Sequence, residues 1–111
     1  MATDLRKYTV QEAVNIGAHG ALASVLTADG TVKSTGGTVY SVMVSLNGVQ
    51  VGDKVEIKDN TTVKLSFVAT ATAQSWMFDP SVGVNFDHSI VVDVTMSGGG
   101  AKEATVTTVY L

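Results

Sequence analysis

A period of two over residues 39–47, with apolar side chains at every even position and mixed ones at the odd positions, constrains the fold of this chain more than any other feature. Apolar side chains fill the even positions of this segment: Tyr40, Val42, Val44 and Leu46. Successive side chains of a β-strand point to opposite faces of a sheet, so this spacing puts all four on one face. The segment therefore predicts a central strand with one buried face. The Asn47-Gly48 pair that follows predicts a tight hairpin turn.

The same period of two recurs along the chain. Residues 54–58 alternate charged and apolar side chains, and apolar residues share one parity in 90–96. In the segment at 62–70, one face is expected to carry Val63, Leu65, Phe67 and Ala69. Shorter strand-like segments lie at 21–27, 72–78, 84–86 and 104–111, separated by turn-forming residues. We therefore expect an all-β fold, a single antiparallel β-sandwich of jelly-roll type with roughly seven or eight strands.

The N-terminal segment has no comparably clear pattern. Thr9-Val10-Gln11-Glu12 matches a capping box that opens a short helix. Alternatively, Tyr8, Val10, Val14 and Ile16 share one parity, as in an edge strand, and a strand or irregular structure is the preferred interpretation. We expect an N-terminal arm or edge strand over residues 1–20. One sandwich domain is expected over 21–111, because no repeat, linker or low-complexity block divides the chain.

Composition and charge argue against several classes of function. The 111-residue chain has 15% charged residues, a formal net charge of −3 and no cysteine. Nucleic-acid binding normally leaves clustered basic residues, whereas the only adjacent basic pair here is Arg6-Lys7. No apolar stretch approaches the roughly 20 residues of a membrane span, and the first residues lack the order of a secretory signal. We therefore expect no nucleic acid and no membrane as partners, no disulfide scaffold, and synthesis in a cytoplasm.

The residues capable of catalysis or metal binding do not form a recognisable set. Asp87-His88-Ser89 contains the residue types of a catalytic triad, but neighbours in a strand point to opposite faces, whereas triad members must converge in space. These three are expected to form a turn whose side chains bond to the backbone. Asp79 and Asp93, taken with Asp87 and His88, match no known zinc or calcium spacing. We therefore expect no enzymatic activity, no metal and no cofactor.

The Gly36-Gly37 pair and the single tryptophan are also expected to have structural roles. Gly36-Gly37 is followed neither by a Lys-Ser/Thr pair nor by a helix, so it does not match a phosphate-binding loop. Trp76 is able to stack on a sugar if it is exposed. Because it shares parity with Phe78, we expect it to pack in the core instead.

From about residue 31 to the C-terminus, a series of motifs follows in a fixed order: Thr31–Tyr40, Ser41–Val44, Val55–Asn60, Gly83–Asp87, Ile90–Val94 and Ala104–Leu111. This order resembles that of small β-sandwich virion proteins of tailed bacteriophages. Two positions depart from the group's pattern. Asn60 stands where the group usually has glycine, and His88-Ser89-Ile90 replaces a usual small-Gly-Leu run.

This resemblance implies a non-enzymatic virion protein, assembled in the host cytoplasm. The leading hypothesis is a capsid decoration or cement protein that stabilises the head by contacting the major capsid protein or another virion protein. A homo-oligomer, with a trimer favoured, is implied by the group and by the general preference for closed symmetry. Two alternatives remain open: a tail or head–tail adaptor component, and a carbohydrate-binding module that recognises a receptor.

The expected contact residues lie at the two ends of the chain. The N-terminal arm is expected to add a strand to a neighbouring molecule. The apolar last strand is expected to be an edge that needs a partner. The candidate interaction residues are Leu5, Tyr8, Val10, Val14, Ile16, Val109, Tyr110 and Leu111.

Overall fold

A computed structural model of the protein describes residues 20–80, 82–97 and 102–111. Nine β-strands and no helix occur in these residues, so the strand count exceeds the expected seven or eight. The strands are β1 (Leu22–Leu26), β2 (Gly30–Lys33), β3 (Gly37–Asn47), β4 (Lys54–Asp59), β5 (Thr62–Val68), β6 (Ala73–Phe78), β7 (Val84–Phe86), β8 (Ile90–Thr95) and β9 (Glu103–Tyr110). No helix in the described part of the chain is long and apolar enough to cross a membrane.

The strands form two antiparallel sheets whose pairing is nested. One sheet has the order β1-β9-β3-β6, with the short β7 also paired to β3, and the other has the order β2-β8-β4-β5. Four pairs are therefore nested within one another: β1 with β9, β2 with β8, β3 with β6, and β4 with β5. This double-sheet arrangement is a jelly roll, so the predicted fold class is confirmed.

Alternation in the sequence places the core between the two sheets. In β3, Val42, Val44 and Leu46 are buried, and in β4, Val55 and Ile57 are completely buried. Each such aliphatic side chain contributes about 1.5–3 kcal/mol when it is removed from water. The prediction of a central strand at 39–47 is confirmed, because β3 pairs with β9 on one side and with β6 on the other. The expected inward position of Tyr40 is wrong, because the register of the β3–β9 ladder shifts between Val39 and Ser41 and Val39 is buried in its place.

The predicted hairpin at Asn47-Gly48 is wrong. Gly48 does have a positive φ of 71°, but β3 and β4 belong to different sheets. Both edges of β3 are already occupied by other strands, so β4 has no position beside it. The chain crosses to the second sheet instead, burying Val49, whose backbone N–H donates to the Thr72 carbonyl at 3.1 Å.

The expected inward position of Val63 is also wrong. Leu65 pairs with the buried Ile57, and Phe67 and Ala69 are buried as expected. Between Leu65 and Val63 the register of the β4–β5 ladder shifts, because Val63 pairs with Lys58. Such a bulge inserts one residue and reverses the faces beyond it. Val63 is consequently exposed on the outer face of the sheet.

The last strand is not an edge, contrary to the sequence-based expectation. Strand β9 pairs with β1 along one side and with β3 along the other. Its final residue is held as well, because the Leu111 and Thr38 backbones exchange two hydrogen bonds of 2.9 and 3.0 Å. The nested topology returns the C-terminus to the middle of the sheet, which local sequence patterning does not reveal. Among the described strands, the edges of the first sheet are β1 on one side and β6 and β7 on the other, and the edges of the second sheet are β2 and β5.

Candidate interaction face

An apolar row crosses the outer face of the five-stranded sheet. The ladders place Val25 beside Thr107, Thr107 beside Met43, and Met43 beside Met77, so the row runs across four strands. Val25 is 61% exposed, Met43 45% and Met77 61%. Methionine side chains are flexible and polarisable, which suits them to contacts with irregular surfaces.

Small uncharged residues flank this row on both sides. Ala23, Val109 and Ser41 form the next row in one direction, and Thr105, Ser45 and Ser75 form the next row in the other. The only charge at the paired outward positions is at the far rim, where Glu103 lies opposite Asn47. We call the outward surface formed by these three rows the neutral face.

The outer face of the second sheet is entirely different in character. Lys54, Glu56 and Lys58 alternate along β4, and Lys58 Nζ donates to the Asp93 carboxylate on β8 at 2.6 Å. This hydrogen bond is the main reason that the pKa of Lys58 is raised above its ordinary value. Lys54 Nζ also lies 3.5 Å from the Glu56 carboxylate. One side of the sandwich therefore has the ionic pattern of a solvated surface, whereas the other side lacks it.

This asymmetry is informative because charged side chains are the ordinary means of keeping a sheet face in water. Depletion of charge is a typical compositional feature of the centre of protein–protein interfaces. Contiguous exposed apolar surface is likewise associated with contact sites. The neutral face has both properties. Its centre lies on β9 and β3, which have neighbours on both sides, and its two ends, Val25 and Met77, lie on the outer strands β1 and β6.

A buried carboxylate fixes the loops at one end of the sandwich. Asp53 is only 2% exposed and follows Gly52, whose positive φ of 100° permits the turn. Its oxygens accept hydrogen bonds from the backbone N–H groups of Gln50 and Ser97, both at 2.9 Å, and from Lys102 Nζ at 2.9 Å. These bonds, led by the Gln50 N–H, hold the pKa of Asp53 far below its ordinary value. The carboxylate thus joins the β3–β4 crossover to the residues on both sides of the β8–β9 connection.

A second carboxylate fixes the loop at residues 87–89. Asp59 ends β4, and its oxygens accept the backbone N–H groups of Asp87, His88 and Ser89 at 2.8, 2.8 and 3.2 Å. These hydrogen bonds, led by that of Asp87, lower the pKa of Asp59 although burial opposes the shift. A carboxylate that accepts from three backbone donors is a structural anchor of the loop.

The Asp87-His88-Ser89 segment forms a turn anchored by backbone hydrogen bonds. The Asp87 carboxylate accepts from the Asn85 side chain at 2.9 Å, and the Ser89 hydroxyl accepts from the Asn60 N–H at 3.0 Å. The His88 side chain is 73% exposed and lies 3.5 Å from Asp59. The three side chains therefore have separate partners and do not converge as a triad requires. Among the described residues, no cluster of three His, Cys, Asp or Glu side chains is arranged to hold a metal ion.

Trp76 and Gly36-Gly37 both have packing roles. Trp76 pairs with the buried Val44, and its ring centroid lies 5.8 Å from that of Phe67 in the opposite sheet, so it packs in the core as expected. Gly36 and Gly37 lie where backbones approach closely. A side chain at Gly36 meets the carbonyl oxygen of Asp87 at 2.6 Å, and one at Gly37 meets that of Leu111 at 2.5 Å.

The predicted interaction residues are distributed unequally. Val109 belongs to the neutral face, and Leu111 is 48% exposed beside it. Tyr110 points inward and packs against the core, because it pairs with the buried Val39. The remaining predicted residues lie outside the described part of the chain: Leu5, Tyr8, Val10, Val14 and Ile16.

Sequence reasoning missed the centre of the neutral face. Val25, Met43 and Met77 come from three strands that are distant in sequence, and each looks unremarkable alone. One local signal was present, since the odd positions of 39–47 include no charged residue. That signal gains meaning only because the outward residues of β6 and β9 beside positions 41–45 also carry no charge.

A shallow groove at one end of the sandwich brings apolar and charged side chains together. Val94, Met96 and Ala104 contribute apolar surface to it, and Lys102 and Asp29 lie at its polar side. Lys102 is already bound to Asp53, and Asp29 accepts the Val94 N–H at 2.6 Å. The two charged groups therefore serve the fold, which leaves the neutral face as the better candidate for function.

No protein-family model matches this chain, and no curated protein is significantly similar to it.

Proposed function

We propose that this protein is a non-enzymatic structural component of a tailed-phage virion, most specifically a capsid decoration protein. In this proposal it binds the major capsid protein, or another protein of the shell, through the neutral face. The observation that carries the proposal is the near absence of charge across the three central rows of one sheet, whereas β4 in the opposite sheet carries three outward charged side chains and an ion pair to β8. The choice of a virion protein as the partner comes from the resemblance of the motif order to that of small virion proteins.

The chemistry of the face favours a protein partner. When another protein covers a surface without charged side chains, no charged group has to be removed from water. The serine and threonine hydroxyls of the surface can still form hydrogen bonds with the partner. A phosphate-rich partner requires cationic groups, which this face lacks. A carbohydrate partner typically requires an exposed aromatic platform, whereas Trp76 packs inward against Phe67. Protein–protein contact is therefore the function that these side chains support best.

The size of the face favours multivalent binding. Three rows on four strands about 4.8 Å apart span about five residues of each strand and give a flat footprint of about 320 Å². A standard interface covers about 800 Å² of accessible surface on each partner, so one neutral face is small for stable attachment. A homo-oligomer that presents several such faces gains avidity from effective concentration without any new contact. The size of the face therefore favours an oligomer, and three copies is the number that the resemblance implies.

The proposal is tested by co-sedimentation with phage heads. The purified protein is mixed with capsids of the phage whose genome encodes it, and binding is followed on a density gradient. Wild-type protein is expected to travel with the heads. The variant Met43→Lys places a charge in the centre of the neutral face and is expected to reduce binding at least about tenfold, since burying an unpaired charge costs more than 1.4 kcal/mol.

A matched control uses the opposite sheet. Val63→Lys introduces the same charge at a position with similar exposure, 44% against 45% for Met43, and is expected to bind as wild type does. Equal binding of both variants overturns the role of the neutral face. Failure of the wild-type protein to bind heads overturns the decoration function, and binding to isolated tails in its place supports the tail component instead.

A further inference from the structure

The Asn47-Gly48 pair lies at the start of the crossover from β3 to β4, where its two residues are exposed between buried neighbours. Leu46 and Val49, on either side of the pair, are each only 2% exposed, whereas Asn47 and Gly48 are both exposed. Gly48 has a φ of +71°, a conformation that glycine adopts without the strain that a Cβ atom causes. The pair is therefore open to water although the chain on each side of it is anchored in the core.

An asparagine followed by glycine carries two groups that react with each other. The Gly48 amide nitrogen attacks Cγ of the Asn47 side chain, and its proton leaves with the side-chain amide as ammonia. The result is a five-membered succinimide ring. Water then opens the ring at one of its two carbonyl carbons, so the product at position 47 is either aspartate or isoaspartate. Glycine favours ring closure because it has no Cβ to obstruct the approach of its nitrogen.

The hydrogen bonding of the Asn47 side chain does not prevent this reaction. Its Nδ2 donates to Glu103 Oε1 at 3.5 Å, and both side chains are exposed. Hydrogen bonds from nitrogen to oxygen are normally close to 2.9 Å, so a bond of this length at the surface is weak. The fold therefore does not lock the amide group away from the Gly48 nitrogen.

The other two asparagines in the described part of the chain have less reactive surroundings. Asn60 precedes Thr61 and Asn85 precedes Phe86, so in both cases the attacking nitrogen belongs to a residue with a bulky side chain. The Asn85 side chain also donates to the Asp87 carboxylate at 2.9 Å. These two asparagines provide comparisons within the same molecule.

The fold also restrains the second place where glycine follows a side chain of this type. Asp29 precedes Gly30, but the Asp29 carboxylate accepts the Val94 N–H at 2.6 Å, and Gly30 pairs with Val92 in the β2–β8 ladder. A hydrogen-bonded carboxylate anion is a poor target for a nucleophile. The sequence shows two such pairs, and the structure restrains one of them and exposes the other.

We propose that Asn47 is a site of spontaneous deamidation in the folded protein, and that the reaction adds a negative charge opposite Glu103. Asn47 pairs with Glu103 in the β3–β9 ladder, so the product faces a carboxylate to which the asparagine donates a hydrogen bond. Like charges directly opposite each other on neighbouring strands are destabilising. Isoaspartate, in addition, inserts one extra carbon atom into the main chain between Leu46 and Val49. Deamidation at this position is independent of the function proposed for the neutral face.

The test follows the mass of each tryptic peptide while the folded protein is incubated at mildly alkaline pH. Trypsin separates the three asparagines, because Asn47 falls in peptide 34–54, Asn60 in 59–64 and Asn85 in 65–102. Peptide 34–54 is expected to gain one mass unit, placed at residue 47 by fragmentation, and the other two are not. Its rate should lie within about tenfold of that of a synthetic peptide 34–54, whereas a site that reacts only after global unfolding is slower by about 10³ or more.

A variant tests the role of the glycine. Gly48→Ala adds the Cβ that obstructs ring closure, and it is expected to slow the mass gain at least about tenfold. Alanine at this positive φ strains the crossover, so the same substitution is also made in the synthetic peptide, where no folding is required. An unchanged peptide 34–54 in the folded protein after many half-lives of the synthetic peptide overturns the proposal. Equal mass gain in the three tryptic peptides overturns it too.

The effect of the added charge is measured with a matched pair of substitutions. Asn47→Asp reproduces one product, and Asn47→Ser removes the amide without adding a charge. The aspartate variant is expected to have the lower melting temperature at low salt. The difference should shrink at high salt, because screening weakens the repulsion between exposed carboxylates. Equal melting temperatures of the two variants at low salt overturn the proposed repulsion with Glu103.

Discussion

The carboxylate of Asp53 and the ammonium group of Lys102 lie 2.9 Å apart, with side chains only 2% and 9% exposed. The pair joins the crossover between the two sheets to the start of the last strand. The same carboxylate also accepts hydrogen bonds from the Gln50 and Ser97 N–H groups. It therefore satisfies backbone donors that would otherwise lack partners in the described structure. Removing one member of such a set is costly, because the remaining groups stay buried without a partner.

Asp53→Asn is therefore expected to lower the melting temperature at pH 7 by several degrees. The folded-state pKa of Asp53 lies far below its value in the unfolded chain. The stability it contributes is thus present above the unfolded pKa of about 4 and is lost as the pH falls towards the folded pKa. The difference between wild type and variant should consequently be largest near neutral pH and shrink progressively below about pH 4. Urea unfolding between pH 7 and pH 2 measures it, with the exposed Glu103→Gln as control.

Asp59→Asn is expected to destabilise the fold because an amide has one acceptor oxygen, whereas three backbone N–H groups need acceptors there. His88→Ala serves as the comparison, since that side chain is largely exposed and should matter by less than about 0.5 kcal/mol. Thermal unfolding monitored by circular dichroism checks both. Equal effects of the two substitutions contradict the assignment of Asp59 as the anchor of the loop.

Thr108→Val is expected to stabilise the protein. The Thr108 side chain is completely buried, and its hydroxyl has no hydrogen-bond partner among the described residues. Valine has nearly the same shape without the unpaired hydroxyl, so the free energy of unfolding should rise by about 1 kcal/mol. Chemical denaturation measures the change. Thr107→Val, one residue earlier on the outer face, is the control and should have little effect, and a destabilised Thr108→Val variant means that the hydroxyl does have a partner.

Gly36→Ala is expected to destabilise the fold by about 1–3 kcal/mol, as overpacking typically does. A methyl group at this position lies 2.6 Å from the Asp87 carbonyl oxygen and 2.8 Å from that of Phe86, so backbone must move to accommodate it. Ser34→Ala, at an exposed position of the same loop, should be close to neutral. Equilibrium unfolding of the two variants, compared with wild type, provides the measurement.

Much of the fold can be predicted from the sequence because strand formation and burial produce patterns among neighbouring residues. The alternation in β3, β4 and β8 predicts the existence of the strands and most of their inward residues, and Tyr40 is the exception because a bulge precedes Ser41 in β3. The errors arose where a non-local contact decides the outcome. The turn residues at Asn47-Gly48 were recognised, but the identity of the strand reached after that turn depends on β9 and β6 occupying both sides of β3. Val63 was assigned to the wrong face because a bulge shifts the register between β5 and β4.

The candidate site likewise combines features that the local sequence predicts with features that depend on non-local contacts. The sequence determined the strand content of this protein, its turns and the scarcity of charge, since these depend on neighbouring residues and on composition. Only the tertiary structure decided that β9 is central and that the apolar row on the outer face is continuous. Val25, Met43, Met77 and Thr107 become neighbours through hydrogen-bonded ladders between distant segments, and the register of such ladders depends on the packing of the whole core.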